Sequence, residues 1–199
     1  MTTISEDVKF EVLNDHYKDT FLNIKDSIKL RDRFFFCVLV TITPMLYQIY
    51  SPQNAGDAIS DLVAQILKLQ NSIDLSFISS LLWFTLLGIV VRYFQMVVYI
   101  ERQYDYIHRL EAQLNEYFND TTSFTREGKF YLDSYPEFSN WVWFLYTIVF
   151  PIMLVIFIMI KVINDWNIFP LATTIINSLI AIAIIISIAL YICMVHFKK

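Results

Sequence analysis

The strongest constraint on this chain is the stretch from about Phe77 to about Phe118, which contains no Pro and a single Gly, Gly88. Its first half is apolar (FISSLLWFTLLGIVVRYFQMVVYI), and its second half is charged but still periodic (ERQYDYIHRLEAQLNEYF). As one helix it would be roughly 60 Å long, about twice the roughly 30 Å hydrocarbon core of a bilayer. The stretch therefore predicts a membrane span that continues into water as a stalk.

The composition favours helical spans over a soluble core. Of the 199 residues, 56% are hydrophobic and 17% are charged, whereas about a quarter of an ordinary soluble domain is charged. The apolar residues fall in runs of about 20, the length that a transmembrane helix needs. With 3 Gly and no alternating segments, a β-barrel is not indicated. The predicted fold class is all-α: a polytopic membrane protein with four transmembrane helices, the second extended into a cytoplasmic stalk.

The chain is predicted to have four parts. They are a cytoplasmic amphipathic helix over 1–32, a first transmembrane hairpin over 33–98 with an external loop at 51–76, a cytoplasmic stalk and aromatic lobe over 99–139, and a second transmembrane hairpin over 140–199. The apolar stripe of the first part could lie on the membrane surface or pack on the stalk, and its acidic polar face favours packing on protein. The segments SPQNAGD and KVINDWNIFP are predicted to be external turns.

The charge distribution predicts the orientation. Lys and Arg are concentrated before the first span, between the second and third spans and at the C-terminus, whereas the predicted external segments hold only Lys68 and Lys161. By the positive-inside rule, both termini and the stalk face the cytoplasm of a bacterial inner membrane. The net charge of −4 gives no indication of direct nucleic-acid binding. The predicted partners are therefore the lipid bilayer and other proteins.

The stalk and the loop after it supply the predicted contacts with a partner or with sister chains. The stalk residues recur at steps of three and four, which predicts packing against another helix of this chain or of a second copy. The loop is unusually aromatic for an exposed linker, which indicates a packed lobe or a docking surface. The predicted contact residues are Tyr99, Gln103, Tyr106, Leu110, Leu114, Tyr117, Phe130 and Tyr131.

The last span differs from the others because small and hydroxylated residues replace most aromatic ones. Such residues allow close helix contact in lipid, so this helix is expected at the centre of a bundle or at a subunit contact. Asn177 is interpreted as an interhelical hydrogen-bonding group, with a pore-lining role as the alternative. The predicted intramembrane packing residues are Thr174, Asn177, Ser178, Ala183 and Ser187.

No catalytic, metal-binding or cofactor-binding pattern is evident. The three histidines lie in different regions, and neither a phosphate loop nor a hydrolase motif is present. The predicted spans contain no Asp, Glu or His, which argues against a membrane-embedded enzyme or an ion-coupled transporter. Two classes remain: a scaffold or sensor that recruits a cytoplasmic effector protein, and a pore-forming effector with the last helix at the pore.

The stalk sequence RYFQMVVYIERQYDYIHRLEAQL and the later aromatic stretch REGKFYLDSYPEFSNWVWFLYTIVFP also carry a resemblance. A four-span chain of this size with such a stalk resembles small membrane components of bacterial anti-phage systems, and its architecture is closest to the membrane subunit of the Kiwa system. The resemblance implies an inner-membrane homo-oligomer, expected to be a tetramer, that detects infection at the envelope. It also implies a soluble cytoplasmic DNA-binding effector subunit as partner, and it assigns no functional residues.

Overall fold

The computed structural model of the protein describes residues 6–67, 74–117 and 137–197. These ranges are almost entirely helical and contain no strand. The helices are α1 (Glu6–Tyr50), α2 (Pro52–Leu67), α3 (Leu75–Tyr117), α4 (Glu137–Phe144), α5 (Phe150–Ile168) and α6 (Leu171–Phe197), and a π-helical segment, Leu145–Val149, joins α4 to α5. Four helical segments are long and apolar enough to cross a membrane: Asp7–Tyr50, Leu75–Glu116, Asn140–Ile168 and Leu171–Met194. The predicted all-α, four-span class is confirmed, whereas the side on which the stalk lies stays a prediction.

The chain divides into two compact units. Unit 1 consists of Met1–Asp32 and Gln95–Trp143, and unit 2 consists of Arg33–Phe94 and Phe144–Lys199. Helices α1 and α3 each contribute to both units. The two units are described separately below.

The amphipathic N-terminal stretch and the first predicted span form one continuous helix, α1, which runs on past Pro44 to Tyr50. Helix α2 then begins directly at Pro52, so the expected turn at SPQNAGD is wrong. Pro suits the first position of a helix because it has no N–H to leave unbonded there. The Ser51 carbonyl accepts the first bond of α2, from the Ala55 N–H at 2.9 Å.

The link between the last two spans is also shorter than the sequence indicates. Helix α5 continues to Ile168, and only Phe169 and Pro170 separate it from α6. The Phe169 N–H donates to the Asp165 carbonyl at 3.0 Å. The expected turn over KVINDWNIFP is therefore wrong, because most of that segment is the last part of a buried helix.

The proline within the third span follows the π-helical segment. The Phe150 N–H donates to the Leu145 carbonyl, five residues earlier. Pro151 has no N–H to offer to the preceding turn, and a π-turn is one way in which a helix adapts to such a loss. Thr147 is buried within this segment.

Unit 1 is formed by the first part of α1 and the second part of α3. The Tyr17 hydroxyl donates to Glu111 Oε1 at 3.3 Å. Ile24 in α1 and Ile107 and Leu114 in α3 are buried. The amphipathic stretch therefore packs on protein.

In unit 2, aromatic rings connect four helices at one level. The centroid of Phe35 lies 6.1 Å from that of Tyr93 and 4.9 Å from that of Phe150. The rings of Phe94 and Tyr191 stack at 4.3 Å. We call these five residues the aromatic level. They fix the relative register of α1, α3, α5 and α6.

Helix α3 begins with an acidic cap. Asp74 Oδ1 accepts a hydrogen bond from the Ser76 N–H at 3.0 Å, and Oδ2 accepts one from the Ser76 hydroxyl at 2.7 Å. These bonds favour the ionised carboxylate and lower the pKa of Asp74 below its ordinary value of 3.8. The cap therefore satisfies an N–H that has no partner inside the helix.

We expect Asp74→Ala to reduce the free energy of unfolding by about 1 kcal/mol, the usual cost of losing an N-cap. Because the folded-state pKa is lowered, this contribution is complete above pH 4 and is lost as the pH falls through the folded pKa. Detergent-solubilised protein can be unfolded at pH 7 and below pH 3. A difference between wild type and variant that does not shrink on acidification would contradict the capping role.

Candidate functional site

The most distinctive site in unit 2 is a buried ion pair. Lys161 and Asp165 lie one turn apart on α5, and each side chain is only 1% exposed. Lys161 Nζ forms a salt bridge with Asp165 Oδ1. Two charges withdrawn from solvent in this way need mutual neutralisation and further hydrogen bonds, because an uncompensated buried charge is very costly.

Further hydrogen bonds to Asp165 come from two other helices. Trp83 Nε1 in α3 donates to Asp165 Oδ2 at 2.9 Å, and Asn177 Nδ2 in α6 donates to the same oxygen at 3.2 Å. The Ser80 hydroxyl donates to Asn177 Oδ1 at 2.9 Å and so fixes the amide. We call Ser80, Trp83, Lys161, Asp165 and Asn177 the polar cluster. It joins α3, α5 and α6 through a carboxylate with both oxygens bonded.

The surroundings of the pair complete its neutralisation. The ammonium of Lys161 lies 5.5 Å from the centroid of the Phe169 ring, within the range of a cation–π contact. Thr174 Oγ1 is 3.3 Å from the backbone carbonyl of Asp165, to which it donates. Among the described residues no group of three His, Cys, Asp or Glu could hold a metal ion. The cluster is chemically a neutral interhelical lock.

The sequence reasoning missed this site. The expectation that the spans contain no acidic residue is wrong for the third span, which includes Asp165. Lys161 was expected in an external turn, but it is buried in α5. A usable signal was present: Lys161 and Asp165 are four residues apart in a stretch whose apolar periodicity continues. Trp83, in the middle of an apolar run, was the second signal.

The residues predicted to pack on the last span have different environments. Thr174 and Asn177 are buried, whereas Ser178, Ala183 and Ser187 are half-buried. Ser178 Oγ accepts a bond from Trp166 Nε1 at 3.2 Å, and the Ser187 hydroxyl donates to the Ala183 carbonyl within the same helix. Asn177 makes interhelical hydrogen bonds. The exposed large side chains of α6 are apolar: Leu171, Ile175, Ile176, Leu179, Ile182, Ile186 and Leu190.

The predicted contact residues of the stalk do not share one environment. Leu110 and Leu114 are buried inside unit 1, Gln103 is half-buried, and Tyr99 and Tyr106 are exposed. Tyr117 ends α3, and Phe130 and Tyr131 lie outside the described residues. The buried face of the stalk consists of Ile100, Ile107, Leu110, Glu111 and Leu114. The role of the predicted set in partner binding stays a prediction.

Unit 1 has a surface groove between the start of α1 and the end of α3, with a volume of about 570 Å³. Its lining mixes apolar and charged side chains: Val8, Lys9, Val12, Leu13, His16, Tyr106, Leu110, Gln113 and Glu116. Three of the apolar ones are substantially exposed, Val8 at 47%, Val12 at 56% and Tyr106 at 38%. The groove is therefore an accessible surface on which an apolar segment could pack.

A comparison of the chain with known proteins finds no matching family model, no similar curated protein and no similar solved structure. The functional argument therefore depends on the two sites described above.

Proposed function

We propose that this protein is an oligomeric inner-membrane scaffold or sensor that recruits a cytoplasmic effector protein. The setting we propose is anti-phage defence, in keeping with the resemblance of the sequence. The observation that carries the proposal is the groove of unit 1, with Val8, Val12 and Tyr106 exposed. Apolar side chains gathered along a groove are typical of a protein-binding surface.

The shape and lining of the groove indicate the kind of partner. Two helices form its walls, and its apolar floor has Lys9, His16 and Glu116 beside it. An amphipathic helix that buries its apolar face and keeps its charged face in water suits such a groove. The proposed partner segment is therefore helical, with apolar residues at steps of three and four.

The pore-forming alternative has less support. A conducting helix needs polar side chains on the face that lines the pore. The buried polar side chains of α6, Thr174 and Asn177, bond to neighbouring helices of the same chain. The large exposed side chains of α6 are aliphatic. This geometry favours contact with lipid or with apolar helices over a water-filled lumen.

The test is a double variant, Val12→Ala with Tyr106→Ala. Both side chains are exposed, so we expect normal membrane insertion and an unchanged unfolding midpoint. Loss of two groove contacts should reduce recovery of the partner about tenfold, which corresponds to about 1.4 kcal/mol. Proteins recovered with the tagged chain from gently solubilised membranes are compared quantitatively, and oligomer size is measured on the same samples.

The matched control is Leu22→Ala with Leu30→Ala. These leucines are exposed on α1 within unit 1 but do not line the groove. A partner that is lost with the groove variant and retained with the control supports the proposal. Identical sets of recovered proteins for all three chains would refute it.

A further inference from the structure

Three side chains in unit 2 carry buried polar atoms for which no described residue supplies a hydrogen bond. They are Gln48 in α1, with both Nε2 and Oε1 unpaired, Ser79 in α3, with its hydroxyl unpaired, and Asn164 in α5, with Nδ2 unpaired. Gln48 is 2% exposed and Ser79 is fully buried. In a membrane-spanning helix such unsatisfied groups cost several kcal/mol each. Their number makes a common cause worth seeking.

The three side chains lie at one level of the unit. Starting from the aromatic level, Gln48 is about 14 residues, or roughly 20 Å, further along α1 from Phe35. The same distance leads back along α3 from Tyr93 to Ser79 and forward along α5 from Phe150 to Asn164. It also leads from Phe94 to Ser80 and from Tyr191 to Asn177, which are hydrogen-bonded. That bond verifies the register, and it puts the unpaired groups at the level of the polar cluster.

We propose that this level of unit 2 is a binding site for internal water, which links Gln48, Ser79 and Asn164 to the polar cluster. A buried water makes about three hydrogen bonds to polar groups that otherwise lack them. The unpaired set includes donors, an acceptor and a hydroxyl that can be either. Water satisfies all of these at once.

A metal cation does not suit the same groups. It could bind the oxygens of Gln48 and Ser79 but would repel the donor hydrogens of Gln48 and Asn164. The one carboxylate at this level, Asp165, is already neutralised by Lys161 and bonded at both oxygens. Water also explains how α1 joins the network, since Gln48 reaches the other three helices through it.

The test uses Gln48→Met, which keeps the length of the side chain and removes both polar atoms. If the site is hydrated, the variant deprives the water of partners and the unfolding midpoint falls. If the site is dry, two unsatisfied groups disappear and the midpoint rises. The control is Met45→Leu, one turn earlier on the same buried face, which should change the midpoint little.

A second measurement detects the water directly. Protein labelled with ¹⁵N in the glutamine side chains is placed in micelles, and magnetisation transfer from water to each amide is recorded. The Gln48 signal is assigned by its disappearance in Gln48→Met. We expect transfer to Gln48 despite its burial. The proposal requires both the transfer and the lower midpoint, and either result in the opposite sense overturns it.

Discussion

Lys161→Met is expected to reduce the free energy of unfolding by about 3–5 kcal/mol, because it leaves the Asp165 carboxylate charged and buried without its ammonium partner. Trp83 and Asn177 would still donate to that carboxylate, but they bring no compensating charge. Reversible unfolding in mixed micelles, driven by a denaturing detergent, measures the change. The control is Lys29→Met, which removes an exposed pair with Asp26 and should have little effect.

The double variant Lys161→Met with Asp165→Leu gives the sharper result. Removing both charges avoids the isolated carboxylate, so its loss of stability should be smaller than the sum of the two single losses. Part of the loss should remain because Trp83 and Asn177 lose their acceptor. Strict additivity of the two changes would contradict a direct interaction between the charges.

Leu114→Ala is expected to reduce the stability of unit 1 by about 2–5 kcal/mol, the range for truncating a fully buried leucine. Leu114 is fully buried on the face of α3 that lies inside unit 1. Faster proteolysis and faster hydrogen exchange of residues 6–32 would report the loosened packing. Unit 2 should keep its exchange rates.

The matched control for this change is Leu22→Ala, which removes the same atoms from a leucine that is 56% exposed. It should leave protease resistance unchanged. Equal protease sensitivity of the two variants would show that Leu114 is not part of the packed interior of unit 1.

The sequence was sufficient to predict the four spans because long apolar runs report directly on transfer into lipid. It was misleading at the ends of these helices. Lys161 and Asp165 were interpreted as solvent-facing because a single charge favours water, and only the fold reveals that they neutralise one another. SPQNAGD was interpreted as a turn from its Pro, Asn and Gly, yet Pro52 is compatible with the first turn of a helix. Local composition did not contain these tertiary facts.

The stalk illustrates a smaller error with the same origin. Its periodicity was correctly recognised, but several residues lie on the apolar side of the pattern, including both Tyr106 and Ile107. Ile107 is buried, whereas Tyr106 is exposed and lines the groove. A step of one residue rotates the face of a helix by about 100°. Periodicity alone therefore could not decide which stripe covers the interior and which remains available to a partner.

The position of the two charges on a single helix also bears on biogenesis. Lys161 and Asp165 are one turn apart, so they can neutralise each other as soon as α5 coils, before any other helix has arrived. A newly made α5 could thus enter the bilayer as a nearly neutral rod. Trp83 and Asn177 would join later, when neighbouring helices assemble around it, and their arrival would mark the step from an inserted helix to a finished bundle.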